Sequence, residues 1–228
     1  MYLKAAGDTE KALVAYTDSL LILTGMKKQK HQLVHTLLGL ADLLNSIGKY
    51  EAALDHYKDC LSIQKSLLSE THEDIATTLY LMGVVKMNHC QYDASLAYLK
   101  ESVEVKTSSK DGINSFNGDA YNLMGFVEMR NGNRDGALSK FSDALRIRRA
   151  LGKRLKEAET LKNIGNVYRE NKEHERALEQ YREALVIITE EEGRDSERVV
   201  DVLVAMGSIM SDLNSHDHAL SHYKNGMY

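Results

Sequence analysis

Apolar positions recur along the 228 residues in two alternating stripes separated by polar segments. One stripe opens on a small residue followed at once by leucine: Ala12-Leu13, Ala53-Leu54, Ser95-Leu96, Ala137-Leu138, Ala177-Leu178 and Ala219-Leu220. Successive copies lie 41, 42, 42, 40 and 42 residues apart. Four residues further on stands a large side chain (Tyr16, Tyr57, Leu99, Phe141, Tyr181, Tyr223). After four more comes Leu20, Leu61, Val103, Leu145, Leu185 or Met227, each preceded by a small residue such as Ser19, Cys60 or Gly226. Positions i, i+4 and i+8 share one helix face. The stripe therefore predicts a helix whose small residues admit a neighbouring backbone and whose large side chain fills the gap beside them.

The second stripe lies upstream of the first: Leu79, Met82, Gly83; Tyr121, Met124, Gly125; Leu161, Ile164, Gly165, Tyr168; Leu203, Met206, Gly207, Met210. A mid-helix glycine costs about 1 kcal/mol against alanine, so its recurrence points to close packing. The first full copy departs slightly, with Leu37, Leu40 and Ala41 in this register and Gly39 displaced. Between the stripes sit 45–49, 88–91, 131–133, 170–173 and 214–216, where Asn and Gly suit the left-handed conformations that end a helix. Polar connectors at 106–112 and 190–195 separate the copies, and Glu190-Glu191-Glu192 reads as solvated linker. The pattern predicts helix, tight turn, helix and connector in repeats 31–70, 71–113, 114–152, 153–193 and 194–228. A partial unit, 1–30, precedes them, with Tyr2 and Leu3 before Gly7 closing a first helix. All of it is expected to form a single all-α domain.

The order small-x-x-Gly, turn, Ala-Leu, Tyr, Ala-Leu resembles the tetratricopeptide repeat, whose period is about 34 residues. The longer period here, the absence of proline after the second helix and openings such as His72-Glu73-Asp74-Ile75-Ala76 are similar to the kinesin-light-chain and nephrocystin type. The resemblance spans essentially the whole chain and implies a right-handed α–α superhelix whose first helices line a concave groove. It implies binding of a peptide or helix of a partner protein, as a scaffold or adaptor. A structural subunit of a large complex, or a regulatory segment of a longer protein, are the alternatives. Carried over position by position, the groove residues are Tyr80, Val84 and Met87; Asn122, Phe126 and Met129; Lys162, Asn163, Asn166 and Arg169; and Val204, Ser208 and Ser211. These side chains either face a ligand or turn inward as core.

Two ligand classes of the family can be compared with the letters. The carboxylate clamp of chaperone adaptors opens with Lys162 and Asn166 but lacks its next asparagine at Ala205. The asparagine that recurs along kinesin-light-chain grooves stands only at Asn163, against Leu81, Leu123 and Ala205. Neither pattern is complete.

Composition narrows the classes further. There is no proline and no tryptophan, which favours helix throughout. A net charge of -4 argues against a phosphate-backbone partner, so nucleic acid is not expected. No apolar run approaches the ~20 residues of a membrane-spanning helix, and the opening residues lack a signal-peptide pattern. Cys60 and Cys90 are too few for a disulfide framework, and a cytoplasmic setting is expected. Cys60 reads as a small core residue, and Cys90 as a turn residue.

No catalytic, cofactor or metal chemistry is expected. Phosphate-cradling glycine motifs are absent, and Asn131-Gly132-Asn133-Arg134-Asp135-Gly136 lacks the carboxylates of a calcium loop. His31 with His35, and His218 with His222, share helix faces, with His216 in the turn before the latter pair, but all read as polar surface. Arg146, Arg148, Arg149, Lys153, Arg154 and Lys156 form the densest positive cluster, read as an exposed helix end or a surface for an acidic partner. Tyr223 and Met227 on the last helix suggest self-association or continued stacking through that end.

Overall fold

The computed structural model describes residues 2–25, 29–107 and 113–213. Among them are ten α-helices and no strand: α1 (Tyr2–Thr24), α2 (Lys30–Ser46), α3 (Tyr50–Leu67), α4 (Glu73–Asn88), α5 (Tyr92–Thr107), α6 (Ser115–Arg130), α7 (Arg134–Ala150), α8 (Arg154–Glu170), α9 (His174–Glu192) and α10 (Glu197–Asp212). The chain divides into two compact units, Met1–Gly112 and Ile113–Tyr228. The division falls at the polar connector 106–112, although Lys106 and Thr107 belong to the end of α5.

In the first unit α2 packs on α3 and α4 on α5, while α1 rests on α2 and α3 on α4. In the second, α6 pairs with α7 and α8 with α9; α7 also touches α8, and α9 touches α10. Each core is built from the two stripes. Leu40, Ala41, Leu44, Ala53, Leu54, Tyr57, Met82 and Val85 form one cluster in the first unit. Ala158, Leu161, Ala177, Tyr181, Ala184, Val202 and Met206 belong to one in the second. Of the ladder leucines, Leu54, Leu96 and Leu178 are buried and Leu138 is half-buried.

The glycine stripe has a direct explanation. A Cβ on Gly83 would lie 2.8 Å from Leu99 Cγ, one on Gly125 2.6 Å from Phe141 Cδ1, and one on Gly165 2.6 Å from Tyr181 Cε1. Each first helix thus presses a bare backbone against the large side chain of its own second helix. Gly39, displaced in sequence, serves the other neighbour, since its Cβ would meet the Tyr16 ring of α1.

One bond pattern closes the tight turns. After α4, Cys90 N–H donates to Met87 O at 2.9 Å and Gln91 N–H to Lys86 O at 2.8 Å. The same two bonds recur after α2, α6, α7 and α8. The residue at the bend has positive φ at each of these: Gly48, Cys90, Gly132, Gly152 and Lys172. The asparagines expected there remain right-handed, at φ -78 for Asn131 and -79 for Asn171, because each is the residue before the bend.

Three expectations are corrected. Gly7 lies inside α1, which runs unbroken from Tyr2 to Thr24 as a second-type helix, so 1–30 contains no turn at Gly7. Glu190-Glu191-Glu192 is the last turn of α9, ended by Gly193 at φ 86. Three carboxylates there oppose the helix dipole, and Arg154 (3.1 Å to Glu190) and Arg198 (2.6 Å to Glu192) offset them. The positive cluster is only in part an exposed helix end: Arg146, Arg149 and Lys153 are exposed, but Arg148 is buried, and Arg149, Arg154 and Lys156 pair with carboxylates, as described below. The expected second helix of the last repeat, with Ala219, Tyr223 and Met227, and the His216–His218–His222 group lie outside the described residues.

Candidate functional site

The thirteen groove positions fall on first helices, ten of them on α4, α6 and α8 and three on α10. In the first unit Tyr80, Val84 and Met87 lie on α4, and all three are half-buried. Asn88 at the end of α4 donates to Asn45 of α2 at 3.1 Å, tying the two first helices together. The fully buried positions of α4, including Leu79, Met82 and Val85, alternate with these three. Half-burial is what a helix gives to positions flanking its core stripe.

In the second unit seven more occupy α6 and α8, and each is again half-buried. Phe126 and Met129 pack sideways against the cluster of Ala137, Phe141, Ile164 and Val167. They combine the two roles left open by the sequence, partly core and partly accessible. Asn122 joins α6 to α8: its carbonyl oxygen accepts from Thr160 at 3.4 Å and Asn163 at 3.3 Å. Lys162 lies 3.6 Å from Asp201 of α10, and Arg169 donates to Ser208 at 3.2 Å. Asn166 accepts the Tyr181 hydroxyl at 2.7 Å. On α10, Ser208 is half-buried, whereas Val204 and Ser211 are exposed.

These bonds change the electrostatics expected of the groove. Lys162 is balanced by Asp201, so Arg169 is the groove cation without an ion pair among the described residues. The two residues matching the opening of a carboxylate clamp are already engaged, Lys162 with Asp201 and Asn166 with Tyr181. Burial pushes the Tyr181 hydroxyl above its usual pKa, keeping it the donor.

Sequence reasoning did not find the cavity at one end of this face. About 510 Å3 is enclosed by Leu155, Lys156, Glu159 and Lys162 of α8, Ile188 of α9, and Arg198 and Asp201 of α10, over Ala158. Among them only Lys162 was expected in the groove, and Lys156 was read into the positive cluster. Their register offered a signal, since Glu159 lies one helical turn before Lys162 and Asn163.

The positive cluster lies outside the groove positions and acts as an internal tie. Arg148 of α7 donates to Asp119 of α6 at 3.0 Å, to the Lys156 carbonyl at 2.7 Å and to Thr160. Lys156 also reaches Asp119, at 2.5 Å. The buried Glu157 carboxylate receives Arg149 at 2.9 Å and Arg154 at 3.3 Å. The bond that Arg149 donates to Glu157, with the further carboxylate of Glu183, holds its guanidinium above the usual range. Among the described residues no three His, Cys, Asp or Glu side chains converge as metal ligands, and no helix is long and apolar enough to cross a membrane.

Known proteins show the same arrangement. The family model for the tetratricopeptide repeat matches residues 32–108, 117–187 and 164–226. Protein HGV2 of Halocynthia roretzi is 28% identical over 88 residues, 39% of this chain but only 17% of that protein's length. Among solved structures, BtubC (BKLC) of P. vanneervenii has a TM-score of 0.77 at 15% identity, covering 96% of this chain and 89% of its own. The apo form of RapI has a TM-score of 0.79 at 16% identity, over 93% of this chain and 57% of that one. A kinesin light chain repeat structure from Podosopora anserina gives 0.69 at 14% identity, over 82% and 89%. Identities this low speak for the fold alone, one commonly used for protein–protein interaction. With that match running through both units, the chain belongs to the tetratricopeptide-repeat family.

Proposed function

We propose that the chain is a non-catalytic scaffold or adaptor that holds a segment of a partner protein along the exposed faces of its first helices. The observation that carries this reading is the half-burial of the ten groove positions on α4, α6 and α8, set between fully buried stripe residues, with Val204 and Ser211 of α10 more exposed. In the second unit they present apolar surface at Phe126 and Met129, side-chain amides at Asn122 and Asn163, and Arg169, a cation with no ion pair among the described residues. Apolar pockets beside amides suit an extended peptide, whose side chains fill the former while its main chain bonds the latter. The two cysteines remain free, one buried and one exposed, which fits a reducing cytoplasm.

The test begins with peptides selected from a random display library on the intact chain. Met129→Glu and Asn163→Ala should each weaken the selected peptides about thirtyfold, the size of a hot spot of ~2 kcal/mol. Helicity should stay unchanged, since neither side chain is fully buried. Selected peptides that bind both variants as tightly as the parent would place the binding surface elsewhere.

A further inference from the structure

The cavity between α8 and α10 has an equivalent one repeat earlier, and there a side chain of the protein fills it. Counted from the small residue that opens each second helix, Ile188 of α9 stands where Arg148 stands in α7. The same register holds Lys106 in α5 and Gln64 in α3. Each of these three polar side chains reaches a first helix. Gln64 accepts from Thr78 at 2.8 Å, Lys106 meets Glu73 at 2.7 Å, and Arg148 donates to Asp119 at 3.0 Å. Ile188 is buried, and its side chain brings no polar atom to the floor of the cavity.

The acidic positions of the first helices persist where the arginine does not. Counted from the stripe glycine, Glu159 of α8 is the counterpart of Asp119 in α6, and Asp201 of α10 is the counterpart of Glu159. The Arg148 guanidinium lies between the earlier two carboxylates, 3.0 Å from Asp119 and 3.7 Å from Glu159. The later two line the cavity with no such group between them. Among the described residues Glu159 has, besides that 3.7 Å contact, only Asn122 at 3.5 Å, and Asp201 has only Lys162 at 3.6 Å. A charge-assisted hydrogen bond is shorter, about 2.7–2.9 Å. Both side chains are more than half exposed, at 52% and 58%, and keep free acceptor capacity.

We propose that this cavity receives an arginine side chain of a partner protein, its guanidinium between Glu159 and Asp201 and its stem on Leu155, Ala158 and Ile188. The proposal rests on the reading of the first-helix faces as a partner surface, and names one residue the partner brings. A guanidinium suits the place better than an ammonium, because its planar fork serves two carboxylates at once. The methylene stem covers the aliphatic floor.

The cations on the rim leave room for it. Lys156 is held by Asp119 at 2.5 Å and Arg198 by Glu192 at 2.6 Å, and neither carboxylate lines the cavity. The earlier repeat supplies the precedent, since Arg148 and Lys156 share Asp119. Lys162 does compete, because its partner Asp201 is a wall of the cavity, whereas its counterpart Asn122 is neutral.

The test is a nuclear magnetic resonance titration of the isotope-labelled full chain with N-acetyl-arginine N-methylamide. Amides of residues 154–163 and 197–202 should shift and saturate with a Kd on the order of 1 mM, the scale of one anchored side chain. The citrulline analogue, of the same shape but uncharged, should bind at least about tenfold more weakly. Glu159→Gln with Asp201→Asn should weaken the arginine probe by a similar factor, and unshifted resonances of α7 show that this chain is folded. Lys162→Gln should tighten the probe about threefold by removing the competing cation. Absence of saturable shifts at these residues, up to the solubility of the probe, would overturn the proposal. So would citrulline binding as tight as arginine binding, or weaker binding to the Lys162→Gln chain. The probe needs no peptide, so a failed titration overturns the arginine site alone, and a failed peptide selection bears on the broader reading alone.

Discussion

Tyr181 of α9 donates its hydroxyl to Asn166 of α8 at 2.7 Å, over the bare backbone of Gly165. The same two positions hold Tyr57 and Asp42 in α3 and α2, again hydrogen bonded. In the other two repeats they hold Phe141 with Phe126 and Leu99 with Val84. An acceptor stands where the ring has a hydroxyl, and an apolar side chain where it has none. The rule follows from the cost of burying an unpaired polar atom, which exceeds the net gain of the bond itself.

Exchanging one kind of pair for the other should therefore reveal coupling. Tyr181→Phe alone should lower unfolding free energy by about 1 kcal/mol. Adding Asn166→Val should recover part of the loss, giving a coupling energy of roughly 0.5–1.5 kcal/mol in a urea-denaturation double-mutant cycle. Strict additivity would mean that the hydroxyl and the amide do not depend on each other.

Gly125→Ala tests the close approach of α6 and α7. Helix propensity favours the change by about 1 kcal/mol. The new Cβ would lie 2.6 Å from Cδ1 of the fully buried Phe141, and overpacking of this kind costs about 1–3 kcal/mol. The ring is fully enclosed, so the variant should be less stable, with a lower Tm. A rise in Tm would show that the ring shifts freely.

Hydrophobic spacing made most of this fold legible. The i, i+4, i+8 stripes locate the second helices, and the recurrent glycine locates the contact beneath each ring, because both are enforced by local periodicity. Arg148 was misread for the opposite reason. Its carboxylate partner Asp119 is 29 residues away, and nothing in Arg146-Ile147-Arg148-Arg149 marks one arginine as buried. The proposed groove positions came from the family's repeat register. Their bonds to one another did not, because Asn122 and Asn163 lie 41 residues apart and meet only once the helices stack.

Cys90 and Lys172 hold the left-handed bend that Gly48 and Gly132 hold in equivalent turns, at φ 58 and 62. A side chain in that region costs about 1–2 kcal/mol, partly offset by the lower entropy of the unfolded chain relative to glycine. Cys90→Gly and Lys172→Gly should each stabilise by about 0.5–1 kcal/mol, read as a higher midpoint in urea at unchanged m-value. Loss of stability in both would show that these side chains contribute more than the strain they impose.

The buried guanidinium of Arg148 rests on Asp119 at 3.0 Å. Asp119→Ala removes that acceptor while the charge stays enclosed, with Glu159 at 3.7 Å as its remaining carboxylate. Because Asp119 is itself partly exposed, the cost should fall below the ~3–5 kcal/mol of a fully buried pair. Lys156, at 2.5 Å from the same carboxylate, loses its partner too, but its exposed ammonium is free to rehydrate. Arg148→Met with Asp119→Ala should be milder than Asp119→Ala alone, because no charge is left stranded. Calorimetry that ranked the double variant below the single one would indicate that the pair is worth more than its desolvation.

The two thiols should differ sharply in reactivity. Cys60 is fully buried, and desolvation pushes its pKa up to about 11 from an ordinary 9.0. Cys90 is exposed. A thiol reagent near pH 8 should modify one cysteine in the native chain and both in denaturant, since the thiolate is the reacting form. The same shift gives a pH dependence. Below pH 9.0 both folded and unfolded chains keep the Cys60 proton, and its contribution to stability is fully present. Above that the unfolded chain ionises first, so stability falls as the pH rises toward about 11. Cys60→Ala, the residue that Ala144 and Ala184 already place in this register, should flatten the part of the alkaline decline due to this thiol. An unchanged slope between pH 9 and 11 in the Cys60→Ala chain would assign the decline to other groups.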